Sequence, residues 1–303
     1  MSIPGARELA RYQDEPAQMR SGAPGQHGVL QMRFARRGDR SVLAYLHRKA
    51  PLLAQQALYW DEHLPGLPCV FMITTSGCML QGDRLDVSVS VGPEAMAHVT
   101  TQAAAKIHQT DANFAAQSMR LDVADHAYLE MLPGPVIPHR HARFFASATA
   151  AVAATGTLLI SEIVLPGRKH HGNGESFEYD VYSSELTITR PDGRALCTEK
   201  MVCEPKRDPV RRAGVMGEFD VLANVILAAP PRLAEAVLQR TDAEIDASAG
   251  YMAGASRLPN DAGLAYKVLG RETEQVRARV REFWRVVRHE VLGAPIPEPR
   301  AWL

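Results

Sequence analysis

Four side chains of the sequence have a type and a setting suited to binding a metal ion. His139 and His141 lie two residues apart in the segment IPHRHAR, and in an extended chain both imidazoles would point to one face and could share an ion. Glu130 and Glu162 each interrupt an otherwise apolar run, LEML and ISEIV. A buried carboxylate is costly unless it is paired or coordinates a cation. The sequence therefore contains four candidate metal ligands, two carboxylates and two imidazoles.

Ordinary structural roles remain open for the same residues. Two histidines without cysteines or an H-x₃-H partner are a signal of low specificity for a metal site. The adjacent His170 and His171 would point to opposite faces of a strand. Under this alternative the histidines are polar loop residues, and each glutamate forms an ion pair with an arginine such as Arg143 or Arg168.

The segment HVTTQAAAKIHQT, residues 98–110, could belong to an active site, a nucleotide cradle or a strand kept for a partner. No G-x-x-x-x-G-K-[ST] loop surrounds its lysine, and GNG at 172–174 lacks the third glycine of a dinucleotide motif. No G-x-S-x-G nucleophile elbow occurs, and HEVLG, which begins at His289, is not followed by a histidine at zinc-protease spacing. The sequence therefore lacks the usual signatures of nucleotide binding and hydrolysis.

Charge and composition exclude several classes of protein. The 34 basic and 34 acidic residues cancel, which gives no reason to expect nucleic acid or an anionic membrane as a partner. The longest apolar run, LANVILAAPP, is far shorter than the roughly 20 residues needed to span a bilayer. The four cysteines contain no C-x-x-C pair, and the N-terminal residues contain no apolar signal region. We expect a cytoplasmic protein.

Strands must position most of these residues, because period-two patterns dominate from about Gly28 onward. RLDVSVSV alternates apolar and polar residues, which predicts a strand with one buried face, and VGPEA predicts a turn into a return strand. RRGD and RPDGR predict two tight hairpins. Helices are predicted at about 232–240 and 271–292. The second has an apolar stripe and an opposite face with Arg277, Arg281, Arg285 and Arg288. This arginine face is expected to be solvated or, as the alternative, to bind an acidic partner surface.

Together these patterns predict a mainly β protein. We expect one β-rich body of stacked or curled, antiparallel-dominated sheets with two α-helices, formed by residues 28–303 as a single domain. Residues 1–27 are rich in glycine, proline and charge, and we expect them to form a loosely ordered arm.

Several motifs occur in an order that is found in one protein family. SGCMLQGD leads into the alternating strand and then into TTQAAAK, and LEMLPGP, SEIVLPGRKHHGNGE and TRPDGRALCTEK follow. This order resembles the UreD family, also called UreH, of urease accessory proteins, and the resemblance covers most of the chain. The motif residues that it singles out are Asp83, Thr100, Thr101, Gln102, Lys106, Arg168 and Glu175.

The sequence departs from the family pattern at a few positions. Cys78 and Gln81 stand where the family usually has glycine, and Met131 stands where tryptophan is usual. His108 replaces a typical aromatic residue. The sequence is therefore identified as a divergent member of the family.

The resemblance implies a scaffold without catalytic activity. Such a scaffold bridges apo-urease to a complex of the UreF protein and the UreG GTPase while nickel is inserted into urease. We expect no tightly bound cofactor and only transient Ni²⁺, for which scattered carboxylates and imidazoles would provide a path of moderate affinity. Two alternatives remain: a metal-dependent hydrolase that uses His139, His141, Glu130 and Glu162, and a plain adaptor without a metal role. In the family interpretation, HVTTQAAAKIH is a structural strand and bend that faces an internal channel or a partner.

Overall fold

Seventeen strands and two α-helices form the fold in the described part of the chain. The computed structural model describes residues 5–14, 25–245 and 247–298. The first eight strands are β1 His27–Arg37, β2 Arg40–Lys49, β3 Leu52–Ala54, β4 Cys69–Thr74, β5 Arg84–Val91, β6 Met96–Thr101, β7 Ala105–Ile107 and β8 Ala115–Val123. The next nine are β9 Tyr128–Met131, β10 Val136–Pro138, β11 Arg143–Val152, β12 Thr157–Val164, β13 Val181–Thr189, β14 Ala195–Cys203, β15 Val221–Ala228, β16 Tyr251–Arg257 and β17 Gly263–Gly270. The helices are α1 Pro231–Gln239 and α2 Thr273–Leu292.

The strands form two sheets, which confirms the predicted mainly β class. The first sheet has seven strands in the order β14-β13-β11-β8-β5-β1-β2. The second has ten strands, of which eight follow the order β16-β17-β15-β12-β9-β6-β4-β3, while β10 pairs with β12 and β7. Both helices occur where the sequence predicts them, and Gly293, with φ of 64°, ends α2 in the left-handed conformation that favours glycine.

The centres of both sheets are parallel, and the expectation of antiparallel-dominated sheets is wrong. Strands β5, β8, β11 and β13 pair in parallel in the first sheet, and β4, β6, β9 and β12 do so in the second. Nine of the fifteen pairings between named strands in the described residues are parallel. From β4 to β13 the chain passes back and forth between the sheets, so this region is a two-sided parallel coil.

A bend at VGPEA shows why the direction of pairing was missed. The predicted hairpin turn instead carries the chain from β5 in the first sheet to β6 in the second. Both strands keep their apolar faces toward the same interior, so the alternating pattern is the same in either arrangement. The hairpins at RRGD and RPDGR do join antiparallel neighbours, β1–β2 and β13–β14.

Two apolar layers hold these parts together. One lies between the sheets, and its members include Leu30, Val87, Leu121, Leu129, Met131 and Leu158. The other lies between the second sheet and the helices, and its members include Leu159, Val225, Val237, Val276, Phe283 and Val287. The second sheet is therefore covered on both faces. Polar residues of β6 and β9 that point away from the first layer become buried under α2.

Part of the predicted arm is described. Leu9 is buried against Phe114 and Phe145, and Glu8 accepts a hydrogen bond of 2.6 Å from the hydroxyl of Ser183. Residues 1–4 and 15–24 lie outside the described residues, so the boundary between an arm and a single domain stays a prediction. Among the described helices, none combines the length and the apolar character that crossing a membrane requires.

Candidate functional site

Glu130 lies in β9 at the centre of a buried hydrogen-bond network. Its Oε1 accepts from Tyr128 Oη at 2.7 Å, Trp284 Nε1 at 2.7 Å and Arg288 Nε at 2.9 Å. Its Oε2 accepts from His98 Nδ1 at 2.6 Å and Arg288 Nη2 at 2.8 Å. The carboxylate is fully buried and every hydrogen bond comes from a side chain. The geometry therefore favours the ion-pair alternative for Glu130, with Arg288 as its partner in place of Arg143 or Arg168.

Arg288 joins this network to the loop before β4. Its guanidinium also contacts the carboxylate of Asp61, which in turn accepts the amide hydrogens of His63 at 3.1 Å and Leu64 at 3.2 Å. Burial alone would raise the pKa of Glu130, but the positive charge of Arg288 and the hydrogen bonds from His98 and Arg288 outweigh it and hold that pKa well below its usual range. The pair stays ionised and ties the helix to the sheet.

Cys69, His98 and Glu130 lie side by side in β4, β6 and β9, in the order of a nucleophile, a base and an orienting acid. The thiol is not activated, because burial raises the pKa of Cys69 to about 12. His98 Nε2 is buried and makes no hydrogen bond to any described residue, Cys69 included. This row is therefore no catalytic triad, and the hydrolase alternative gains nothing from it.

Three cavities surround the bend between β6 and β7. An interior cavity of about 150 Å³ lies between the sheets, and a cleft of about 640 Å³ lies between the second sheet and α2. A third cavity of about 200 Å³ reaches the loop that contains Cys78 and also touches Lys106. Thr101 lines all three cavities. The segment singled out in the sequence therefore forms the walls between them.

Glu162 of β12 lines the interior cavity. Its Oε1 accepts from Tyr182 Oη at 2.7 Å and its Oε2 from Ser184 Oγ at 2.9 Å, and no arginine contacts it among the described residues. Burial raises the pKa of Glu162, although the two hydroxyl hydrogen bonds oppose that shift. The other cavity walls include four thioethers and two further carboxylates, from Met72, Met79, Met119, Met131, Glu185 and Glu199.

His139 and His141 are not on one face of an extended segment, and that prediction is wrong. The chain turns at Arg140 and His141, where His141 has φ of 59°, so the two side chains diverge. His139 is buried with its ring centroid 5.7 Å from that of His108, and burial together with Arg168 lowers its pKa to about 4. His141 is exposed, and its Nδ1 lies 2.6 Å from Lys206 Nζ. No cluster of three or more metal-ligating side chains occurs in the described ranges.

Two of the family-motif residues are carboxylates that hold loops. Asp83 is buried and accepts the amide hydrogens of Gln26 at 2.9 Å and Leu80 at 2.8 Å, so it orders the chain that leads into β5. Glu175 receives two hydrogen bonds from the guanidinium of Arg168, one of them 2.7 Å from Nε to Oε2. This pair links the two ends of the loop from 166 to 177, and Glu175 Oε2 also accepts the amide hydrogen of Arg140 at 3.3 Å.

The remaining motif residues order the bend after β6. Thr100 Oγ1 donates to the carbonyl of Leu132 at 2.7 Å, and Thr101 Oγ1 donates to Ala103 O at 2.9 Å while it accepts from Gly134 N at 2.8 Å. Gln102 and Lys106 have exposed side chains that line cavities. Of the departures from the family pattern, Gln81 Oε1 accepts the amide hydrogen of Asp111 at 2.8 Å, so glutamine holds this turn through its side chain. Met131 is fully buried and lines the interior cavity, and Cys78 lines the third.

Comparison with known proteins identifies the family. The model of the UreD urease accessory protein family matches residues 26–303. A protein of Photorhabdus laumondii named urease accessory protein UreD is 52% identical over 297 residues, which cover 98% of this chain and 92% of that protein. A protein of the same name from Yersinia pseudotuberculosis is 49% identical over 98% of this chain and 92% of its own length. A protein of Brucella suis named urease accessory protein UreD 2 is 48% identical over 98% of both chains.

The chain belongs to the UreD family.

Membership confirms the resemblance drawn from the ordered motifs. It makes the chain an accessory protein of urease maturation and not a catalyst in its own right. The residues at the centre of this UreD fold are nevertheless ones that the sequence motifs do not emphasise: Asp61, His98, Trp284 and Arg288.

Helical spacing contained a signal for one of these missed residues. Arg288 follows Trp284 by four positions, which places it only about 40° around α2 from a core residue. The arginine face of the helix is therefore not uniform, because Arg285 is exposed while Arg288 is almost completely buried. The expectation that all four arginines are solvated is wrong at Arg288.

Proposed function

We propose that this UreD protein is a scaffold for insertion of nickel into urease in the cytoplasm. In this proposal it binds apo-urease on one side and a complex of UreF and UreG on another, and Ni²⁺ passes through its interior. The observation that carries the proposal is the meeting of three cavities at the Thr101–Ala105 bend, in a chain whose family is that of urease accessory proteins. The free thiols of all four cysteines agree with a reducing compartment.

The cavity walls suit a cation that must bind and leave again. The interior cavity offers the carboxyl group of Glu162 and thioethers such as Met79 and Met131, which are dispersed and not gathered in a preformed cage. A relay needs this weakness, because a tight site would retain the ion. Glu162 stays in the proposed path and Glu130 leaves it, since both carboxylate oxygens of Glu130 accept hydrogen bonds from Arg288 and the side chains around it.

His98 offers an imidazole nitrogen at the wall of the cleft. A carboxylate oxygen only accepts hydrogen bonds, so the Nδ1 atom that faces Glu130 must carry the hydrogen. In the neutral ring Nε2 then keeps its lone pair, and this nitrogen has no partner in the described residues. A histidine held by a carboxylate in this way is a common arrangement for metal ligation. We include His98 in the proposed path together with Glu162, and His139 and His141 stand outside it.

Filling the interior cavity tests the path. Ala105 lines both the interior cavity and the third one, so Ala105→Leu should narrow the connection without removing a hydrogen bond. Ala195→Leu, on an exposed position of β14, is the matched control. Each variant is produced with the urease subunits, UreF and UreG, and the nickel content of purified urease is measured by elemental analysis. We expect several-fold less nickel with Ala105→Leu and normal loading with Ala195→Leu.

Measurements of complex assembly and of folding distinguish a blocked nickel path from a variant that fails to bind or to fold. Size-exclusion chromatography with apo-urease and with the UreF–UreG complex reports binding, and a thermal melt reports folding. Complexes that form normally with nickel-poor urease support the path. Full loading by folded Ala105→Leu contradicts it and leaves a plain adaptor. Wild-type protein that binds neither partner contradicts the scaffold itself.

A further inference from the structure

The hairpin at one edge of the first sheet has an unusual concentration of positive charge. Strands β1 and β2 and their turn contribute six exposed cations, which we call the β2 patch: Arg33, Arg36, Arg37, Arg40, Arg48 and Lys49. The one carboxylate of this hairpin is Asp39, in the turn. None of the six cations forms an ion pair with a carboxylate of the described residues.

Cations elsewhere in the described residues differ from the β2 patch, because most of them form ion pairs. Most other described arginines and lysines contact a carboxylate, as Arg143 does at Asp180 (2.9 Å) and Lys169 at Asp220 (2.9 Å). The whole sequence has equal numbers of basic and acidic residues. An unpaired cationic patch in a chain of zero net charge is therefore a local feature, and it creates a positive field at this one edge.

The same edge has unpaired main-chain groups. β2 is the last strand of its sheet, and β1 occupies only one side of it. The amide of Ser41 donates away from β1, to Gly66 O at 3.0 Å. Along β1, the main-chain groups of successive residues point alternately toward β2 and away from it. Leu46 and Arg48 pair with Met32 and Leu30, which have the same phase as the partner of Ser41. The amide and carbonyl groups of Leu46 and Arg48 therefore also point away from β1. No described backbone group pairs with the outward sides of these two residues.

Exposed aromatic and aliphatic surface accompanies this edge. Six large hydrophobic residues are exposed among the described residues, and three of them lie here: Tyr45, Leu58 and Tyr59, which are 38%, 42% and 39% exposed. Arg33 lies over the ring of Tyr45 at 4.2 Å, and Arg40 lies over that of Tyr59 at 5.4 Å. Tyrosine and arginine are, with tryptophan, the residues most enriched at the energetic centres of protein interfaces.

Protection against aggregation would account for the charge alone, because cations on an edge strand discourage pairing with another copy. It does not account for exposed tyrosines beside an open stretch of backbone. A polypeptide fits all three features, since only a polypeptide strand supplies alternating donors and acceptors along an edge. Phosphate groups of nucleic acids and lipids supply acceptors for the cations, but neither class of molecule supplies a row of donors and acceptors with the spacing of an edge strand.

We propose that the outer edge of β2, from Val42 to Lys49, binds an extended acidic segment of a partner protein as an added strand. The main-chain groups of Leu46 and Arg48 pair with that segment. Its carboxylates contact the β2 patch, and its apolar side chains contact Tyr45. The surface is separate from the cavities at the Thr101–Ala105 bend.

The experiment uses full-length protein with purified apo-urease and, separately, with the purified UreF–UreG complex. The choice of these probes rests on the proposed function, whereas the chemistry of the surface does not. Hydrogen exchange at the Leu46 and Arg48 amides should slow by at least about tenfold in one of the complexes, with β14, at the opposite edge, as the internal control. Arg37→Gln/Lys49→Gln should weaken that complex about tenfold and reduce its salt dependence. Arg194→Gln/Arg232→Gln removes the same charge elsewhere and should bind as wild type.

Each result decides the inference. Unchanged exchange at Leu46 and Arg48 with both probes overturns it, even where a complex forms. Slower exchange with wild-type affinity of Arg37→Gln/Lys49→Gln shows an added strand that is not recognised through its charge, which also overturns it. If a single-stranded oligonucleotide binds instead, with salt sensitivity that the double variant loses, the β2 patch is a phosphate-binding surface. Failure of the scaffold function alone appears differently, as wild-type protein that binds one probe with slower exchange at these two amides but does not bind the other probe.

Discussion

Arg288 near the end of α2 and Glu130 in β9 form a paired contact, with Nε to Oε1 at 2.9 Å and Nη2 to Oε2 at 2.8 Å. Both side chains are buried. Two parallel hydrogen bonds between a guanidinium and a carboxylate define orientation as well as distance. The contact therefore sets the register of the helix on the second sheet, and through it the shape of the cleft.

Glu130→Gln should destabilise the protein by about 3 kcal/mol, the low end for a broken buried pair, because Asp61 still faces the guanidinium. Urea unfolding at pH 7 measures the change. Glu62→Gln, at an exposed position, is the control and should change the free energy of unfolding by less than about 0.5 kcal/mol. A Glu130→Gln protein as stable as wild type would show that the pair is not structural.

Glu162→Gln, in contrast to Glu130→Gln, should leave the stability of the protein intact and lower the delivery of nickel. The raised pKa of Glu162 means that ionisation costs free energy in the folded state, so a neutral amide should leave the stability at pH 7 unchanged or slightly higher. One of the hydroxyls of Tyr182 and Ser184 keeps an acceptor in the amide oxygen, and the other can accept a hydrogen bond from the amide NH2 group. Under the proposed function, urease matured with this variant should contain several-fold less nickel. An early thermal melt would assign Glu162 a structural role, and full nickel loading would remove it from the path.

The protein should lose stability between pH 6.5 and pH 4, and His139 should account for part of the loss. Its folded pKa of about 4 lies below its ordinary value of 6.5, so the unfolded state binds a proton in that window and the folded state does not. His139→Gln should therefore flatten the dependence of the unfolding free energy on pH by up to about 1.4 kcal/mol per pH unit. His141→Gln, at an exposed position, is the control. Equal slopes for wild type and His139→Gln would contradict the assignment.

Asp83→Ala should cost about 1–3 kcal/mol, because it leaves the amide hydrogens of Gln26 and Leu80 without their acceptor. Asp83→Asn keeps one oxygen acceptor and should lose less. Denaturant unfolding measures stability, and urease activation in cells measures function, which should decline in proportion to folded protein. A stable Asp83→Ala protein that fails to activate urease would instead give the loop before β5 a direct role.

The sequence predicted which segments form strands and helices, but it did not predict which strands pair with each other. The alternation in RLDVSVSV indicated a strand and its buried face, and RPDGR indicated the turn between β13 and β14. No local pattern reports that β5 pairs with β8, since those strands are 32 positions apart at the pair Arg84 and Ala116. Pairing in a parallel coil depends on contacts distant in sequence, which a window of ten residues does not contain.

The candidate site was predictable only where motifs acted together. The ordered motifs identified the family and singled out Thr101, which lines all three cavities. Single residues were less informative, because Glu130 and Glu162 have the same local pattern but different partners. Only the fold brings Arg288 to one of them and two hydroxyls to the other. A glutamate in an apolar strand therefore indicates burial and leaves its partner undetermined.

The long separation between Asp61 and Arg288, 227 positions, has a consequence for synthesis on the ribosome. The sheets can begin to assemble while the chain emerges, but Asp61 and Glu130 then lack their counter-charge until α2 leaves the exit tunnel. Burying two carboxylates without a guanidinium is costly, so a chain that stops short of α2 cannot complete its core. Docking of α2 is thereby the step that completes this part of the core, and we expect chains truncated before α2 to be more sensitive to proteolysis.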